Sequence, residues 1–205
     1  MSKLSRCAGI ILLFGVVSAC GVVTRNESST PEPPAAPEAR AIADAHGPVL
    51  KDFQTRLDQY IKTQRFLMQD GPQLKETAEP ADINLAQETL AAKIRDARKT
   101  AKQGDIFTPQ VSTMFRSLMK PELKGAAGRE TRSEIKEEAP TTGEVPLRIN
   151  GGYPQDQPLS TVPPNVLASL PSLPSDVEYR VVGKHLILRD VDANIIVDYV
   201  PNAIQ

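Results

Sequence analysis

Asp190, Asp192 and Asn194 stand at alternate positions near the C-terminus, the spacing of oxygen ligands that opens a calcium-binding EF-hand loop. The pattern stops there. Ile195 occupies the position that needs glycine, and Pro201 occupies the twelfth, which needs glutamate. A tight polar turn accounts for the same three residues. His185 falls beside an expected hairpin turn, on its polar face, and reads as a solvated strand histidine, while His46 lies in an expected linker. Two histidines and two cysteines leave few ligands for a transition-metal cage, so no metal and no cofactor is expected. GxSxG, HExxH, GxGxxG and Walker patterns are all missing from the sequence, and no residue is assigned a catalytic role. A hydrolase built on two acids leaves no local signature, so a carboxylate hydrolase stands as the alternative function. Arg95, Arg98, Lys99 and Lys102 recur at helical spacing and would form one basic face, a candidate contact for an anionic surface; a solvated helix face is the preferred explanation. With a net charge of -1 the chain has no polybasic character, and no nucleic-acid partner is expected.

These residues need elements to hold them. Leu50, Phe53, Leu57, Tyr60, Ile61, Leu67 and Met68 recur at steps of three and four, which predicts a helix over 48–69, with Pro48 at its first position. Ile83, Ala86, Leu90, Ile94, Ala97 and Ala101 predict a second over 80–103, ended by Gly104. Thr108 is a candidate N-cap for a third, whose buried face is Val111, Met114, Phe115, Leu118 and Met119 and which Pro121 closes. Residues 121–144 are charged, with a short exposed helix over 129–138 as one reading and a mobile insertion as the other. A strand is expected at 145–149, then a proline-rich connector over 151–174 with one or two helical turns at 163–170. Within it, Pro171 and Pro174 have PxxP spacing, which serves as a rigid spacer without any partner.

Strands are expected at 177–182, 185–190 and 195–200, the first two joined by Gly183-Lys184. Pairing Val182 with His185 puts Val177, Tyr179, Val181, Leu186 and Leu188 on one face and sets Glu178 opposite Arg189 on the other. Pairing Asp190 with Ile195 then brings Val197 to Leu188 and Tyr199 to Leu186. One apolar face results, and the helices are its expected cover. The fold class is α+β, with about three amphipathic helices followed by a small antiparallel three-stranded meander.

The N-terminus carries a different signal. Lys3 and Arg6 precede an apolar run over 8–17 (AGIILLFGVV), too short to span a bilayer and suited to a secretory h-region. Val17-Ser18-Ala19-Cys20 follows directly. These four residues resemble the lipobox of bacterial lipoproteins, with Val17 where leucine is usual. The resemblance implies cleavage before Cys20, a diacylglycerol on its thiol, and attachment to a membrane through acyl chains. Cys7 would leave with the signal peptide, and the mature chain would hold no free thiol. Gly21 follows the cysteine in place of aspartate, which in a Gram-negative cell implies the outer membrane, facing the periplasm. The expected organisation is a signal peptide at 1–19, the lipidated Cys20 with a Pro-rich tether over 20–47, and a single α+β domain over 48–205. That domain is helical over 48–120, charged over 121–144, and connector plus meander over 145–205.

Gln103-Gly104-Asp105-Ile106-Phe107-Thr108-Pro109 and the stretch 177–204 together resemble an uncharacterised family of exported bacterial proteins, a resemblance that implies no activity. The meander is also similar in pattern to a small β-module of periplasmic nickel/cobalt-homeostasis proteins, without metal ligands here. The expected function is a lipid-anchored cell-envelope protein with a structural role or one of binding an envelope protein partner; the alternative is an envelope hydrolase with a carboxylate site.

Overall fold

The computed structural model describes residues 37–71 and 79–204. The chain divides into residues 1–34 and 35–205, and the first unit lies outside the described residues, as do the expected signal peptide, Cys20 and most of the expected tether. Five helices and one sheet make up the described part: α1 (Pro37–Gln69), α2 (Pro80–Ala97), α3 (Pro109–Met119), α4 (Gly125–Glu138), α5 (Pro164–Ala168), β1 (Val177–Val182), β2 (His185–Asp190) and β3 (Ile195–Val200). The fold is α+β, helices first and the antiparallel sheet last, in the order β1-β2-β3.

The first helix starts eleven residues before the expected Pro48, because the alanine-rich stretch 37–47 has high helix propensity although it offers no apolar stripe. Helical geometry breaks at His46 (φ -130°, ψ 16°), two residues ahead of Pro48, whose ring disfavours a continuous helix there. The discontinuity ahead of Pro48 is real, but it lies inside the helix and not at its start. From Leu50 onward the apolar stripe packs inward as expected.

Three phenylalanines bind the helices to each other and to the sheet. Phe53 of α1 stacks on Phe107 at 5.7 Å, and Phe115 of α3 meets both edge-on at 5.0 Å. Phe115 also meets Tyr179 of β1 at 5.8 Å. Such pairs add to the burial of their rings. Thr108 caps α3 as expected, its hydroxyl accepting from the Val111 amide at 3.3 Å. The charged stretch after α3 is α4, a longer and less exposed helix than the one foreseen. Gly128, Thr131 and Ile135 form its buried face. A Cβ at position 128 would lie 2.3 Å from the Leu123 backbone carbon, so glycine is what allows α4 to close on the turn before it.

The hairpin β1–β2 has the expected register, Val182 opposite His185 and Glu178 opposite Arg189, across a turn in which Gly183 takes a left-handed φ of 56°. The β2–β3 register departs from expectation. Asp190 pairs with Ile195 and Arg189 with Ile196, but Leu188 pairs with Asp198, Ile187 with Tyr199 and Leu186 with Val200. Val197 is the extra residue of a β-bulge, which resets the alternation of everything after it. Tyr199 therefore leaves the helix-facing side, and Val200 takes its place in the main core.

The expectation of one apolar face also fails. Val182, Ile187 and Ile196 form a second buried cluster with Val145 and Tyr153, on the side of the sheet away from the helices. Its cover is the irregular stretch 140–153. The expected strand at 145–149 is not formed; instead 150–153 runs along β3, with the Asn150 amide donating to the Ile196 carbonyl at 2.8 Å and the Ile196 amide to the Gly151 carbonyl at 2.9 Å. Ile187 and Leu188 are each fully buried, one on either face. Ile187→Ala and Leu188→Ala should therefore both cost about 2–5 kcal/mol in urea unfolding. A loss at Ile187 clearly below that range would show that the second layer does not pack.

Candidate functional site

The sequence-derived candidates separate once placed in the fold. α2 ends at Ala97, six residues before the expected end, so Arg98, Lys99 and Lys102 do not continue a helical face with Arg95. Arg98 turns inward: its guanidinium lies 4.9 Å from the centre of the Tyr60 ring, and its Nη1 donates to Asn150 Oδ1 at 2.6 Å. Asn150 answers with its Nδ2 to the Arg98 carbonyl at 3.2 Å. Lys99 pairs with Asp96 at 2.7 Å, both exposed. The basic face read from spacing is thus dissolved, because the helix stops where Arg98 finds a buried partner.

The acidic turn is built as a polar turn. Asp190 is fully buried and accepts from the Tyr60 hydroxyl at 2.6 Å and from the Ala193 amide at 2.7 Å. Asp192 accepts from Gln64 Nε2 at 3.0 Å, and Asn194 Oδ1 accepts from both Nε and Nη2 of Arg189. The three side chains diverge toward three different partners and do not converge on one point. Among the described residues no group of three or more acids, histidines and cysteines could hold a metal ion. Pro171 of the PxxP segment is buried, and its carbonyl accepts from the Tyr179 hydroxyl at 3.0 Å. His185 Nδ1 accepts from the Asn202 amide at 3.3 Å, and burial lowers the ring's proton affinity.

Asp198 was not singled out by sequence, yet it is the most densely bonded side chain in the molecule's interior. The bulge at Val197 aims its carboxylate at the loop between α2 and α3. There it accepts from the amides of Gly104 at 2.9 Å, Ile106 at 2.8 Å and Phe107 at 2.8 Å, and from its neighbour Tyr199 at 2.8 Å. Burial pushes its carboxyl up, and the four amides hold it back. Both Asp190 and Asp198 are taken up in structural bonds, and four open clefts among the described residues are lined by others.

One of those clefts concentrates charge. Arg116 and Lys120 at the end of α3, Lys124 in the turn, and Arg132 on α4 line a cleft of about 650 Å³, closed below by Leu123 and Ala203. Among the described residues no acidic one lines it. Glu122, in the same turn, is directed to Asn165 Nδ2 at 3.1 Å. Arg116 and Lys120 are one helical turn apart, a signal that spacing carried; Arg132 is brought in by the closure of α4 on its turn, which spacing did not carry. No family model matches this chain, and no curated protein or solved structure matches it either.

The buried acids give two expectations. Asp198→Asn puts an amide group among N–H donors that need an acceptor, and should cost about 2–3 kcal/mol in urea unfolding, the range for a lost charged hydrogen bond plus stranded donors. A neutral result would remove Asp198 from its structural role. Asp190 is held up to about 6, by burial first and against the bonds from Tyr60 and Ala193. An aspartate in the unfolded chain titrates near 3.9, so between these values the folded protein carries the extra proton, and the stability from this group rises as pH falls from about 6 to about 4. Asp176, held down chiefly by its bond from Arg65, works in the opposite sense, and so does Glu178, where Arg180 and Arg189 outweigh a burial that raises it. The neutral His185 also opposes. The Asp190 share is isolated by difference. The stability gap between wild type and Asp190→Asn should move in favour of wild type by about 2 kcal/mol between about pH 7 and about pH 4.5. A gap that does not change with pH would show that Asp190 is ionised throughout.

Proposed function

We propose that this chain is a lipid-anchored protein of the bacterial cell envelope, with a structural or partner-binding role. The observation that carries the reading is the run from Lys3 through the apolar stretch 8–17 to Val17-Ser18-Ala19-Cys20. A thiol at that place in such a segment is the acceptor of a lipid, and Cys20 is the attachment site. Among the described residues no helix is long and apolar enough to cross a membrane, so within them no spanning helix competes with an acyl anchor as the means of attachment.

The binding role, in preference to hydrolysis, is supported by what the acids do. A hydrolytic pair needs two carboxyl groups facing a common cleft at a separation of several ångströms. Asp190 and Asp198 are fully buried and face a tyrosine and backbone amides. Glu178 is bound by Arg180 at 2.5 Å and Arg189 at 2.6 Å. The surface offers open clefts with cationic and apolar linings, which suit binding.

One acyl chain gives marginal membrane attachment, and a diacylglycerol on Cys20 supplies the two needed for stable anchoring. Cys20→Ser should move the protein to the soluble fraction or leave it with its leader uncleaved. A variant that still fractionates with membranes after its leader is removed would overturn the lipoprotein reading.

A further inference from the structure

We propose that the cleft between α3 and α4 binds the phosphate ester of a polyol. Four cationic side chains, Arg116, Lys120, Lys124 and Arg132, meet there, and none of them is in an ion pair among the described residues. Many cations of the domain stand outside ion pairs, the inward-turned Arg98 among them; what sets these four apart is that they line one cleft together. Four cations around one cleft repel one another, and an anion bound among them relieves that repulsion.

The two arginines are already positioned. Arg116 Nη2 donates to the Pro201 carbonyl at 2.7 Å, and Arg132 Nη1 donates to the Leu123 carbonyl. Each guanidinium is thereby held by one of its five N–H groups, and the fork that remains suits the bidentate recognition of a phosphate. Lys120 and Lys124 are exposed at the rim and act as mobile point charges. The hydroxyls specify the rest of the ligand. Thr113 and Ser117 line the same cleft and donate their protons to the carbonyls of Pro109 at 2.9 Å and Met114 at 2.7 Å. They present lone pairs, which call for hydroxyl donors on the ligand. A phosphate carried on glycerol or a sugar supplies both halves, anion for the forks and hydroxyls for Thr113 and Ser117. A cleft of about 650 Å³ holds such a group with room to spare. The same chemistry is found on a soluble sugar or glycerol phosphate and on the headgroup of an anionic phospholipid.

The test uses the full chain throughout, so that its apolar N-terminus contributes equally to every sample. Glycerol 3-phosphate, at constant ionic strength, should raise the midpoint of thermal unfolding. Vesicles of phosphatidylglycerol mixed with phosphatidylcholine should retain more protein than vesicles of phosphatidylcholine alone. Lys120→Gln with Lys124→Gln changes two exposed side chains and should leave the unliganded midpoint in place while weakening binding ~30-fold, the effect of two basic contacts. A loss confined to the vesicle arm identifies a lipid headgroup as the ligand, a loss confined to the soluble arm identifies a free phosphate ester, and a loss in both identifies the shared group. The comparison variant is Arg95→Gln with Lys99→Gln, on exposed residues away from the cleft. Equal weakening by the two double variants, or no binding in either arm, would overturn the proposal.

Discussion

A single carboxylate ties the two halves of this fold together. Asp198 sits in the last strand and accepts the amides of Gly104, Ile106 and Phe107, more than ninety residues earlier in the chain. Those three amides belong to the loop that delivers Phe107 into the aromatic cluster and Thr108 to the start of α3. Without an acceptor at that point the loop would carry two buried donors and one half-buried donor with no partner, at a cost of about 1–3 kcal/mol for each buried one. The positions of α3, of Phe115 against Tyr179, and of the cationic cleft at the far end of α3 all follow from where this loop is held.

The bulge at Val197 is what makes the contact available. In a regular strand Asp198 would stand on one face of the sheet, opposed to one of the apolar layers. The additional residue turns the strand so that Ile195, Val197 and Val200 face the helices, Ile196 and Tyr199 face the other way, and Asp198, opposite Leu188, meets the amides of the 104–107 loop. The outer edge of β3 is closed along its length, by 150–153 at its start and by the 103–107 loop at its end, where Gln103 Nε2 also donates to the Tyr199 carbonyl at 3.0 Å. A sheet of three strands has two edges to protect, and at this one the protection and the inter-layer latch are the same set of bonds.

Much of this architecture was legible in the residues. The stripes of α1 and α3, the Thr108 cap, the 183–184 turn and the Glu178–Arg189 pair all follow from periodicity and turn chemistry, which are local. What was not legible is non-local. A bulge is invisible to an alternation count, since Ile195-Ile196-Val197 is apolar throughout and fits either register. Ile187 reads as an outward residue until Val145 and Tyr153 arrive to cover it. Arg98 reads as one of a row of basic residues until Tyr60 and Asn150, both distant in the chain, are brought beside it. The cationic cleft combines both kinds: Arg116 and Lys120 sit at helical spacing, and Arg132 joins them through the close approach that Gly128 permits.

The order of elements along the chain has a consequence for how the molecule comes into being. The helices are made first and the sheet last, yet the helices are finished by the sheet: Tyr60 waits for Asp190, Gln64 for Asp192, Arg65 for Asp176 and the 103–107 loop for Asp198. Domains generally fold as units as the chain leaves the ribosome. The helices can meet one another through Phe53, Phe107 and Phe115 before the sheet exists, but these polar bonds close only once 177–204 has been synthesised. The full set of bonds between the layers therefore depends on the last segment of the chain to be made.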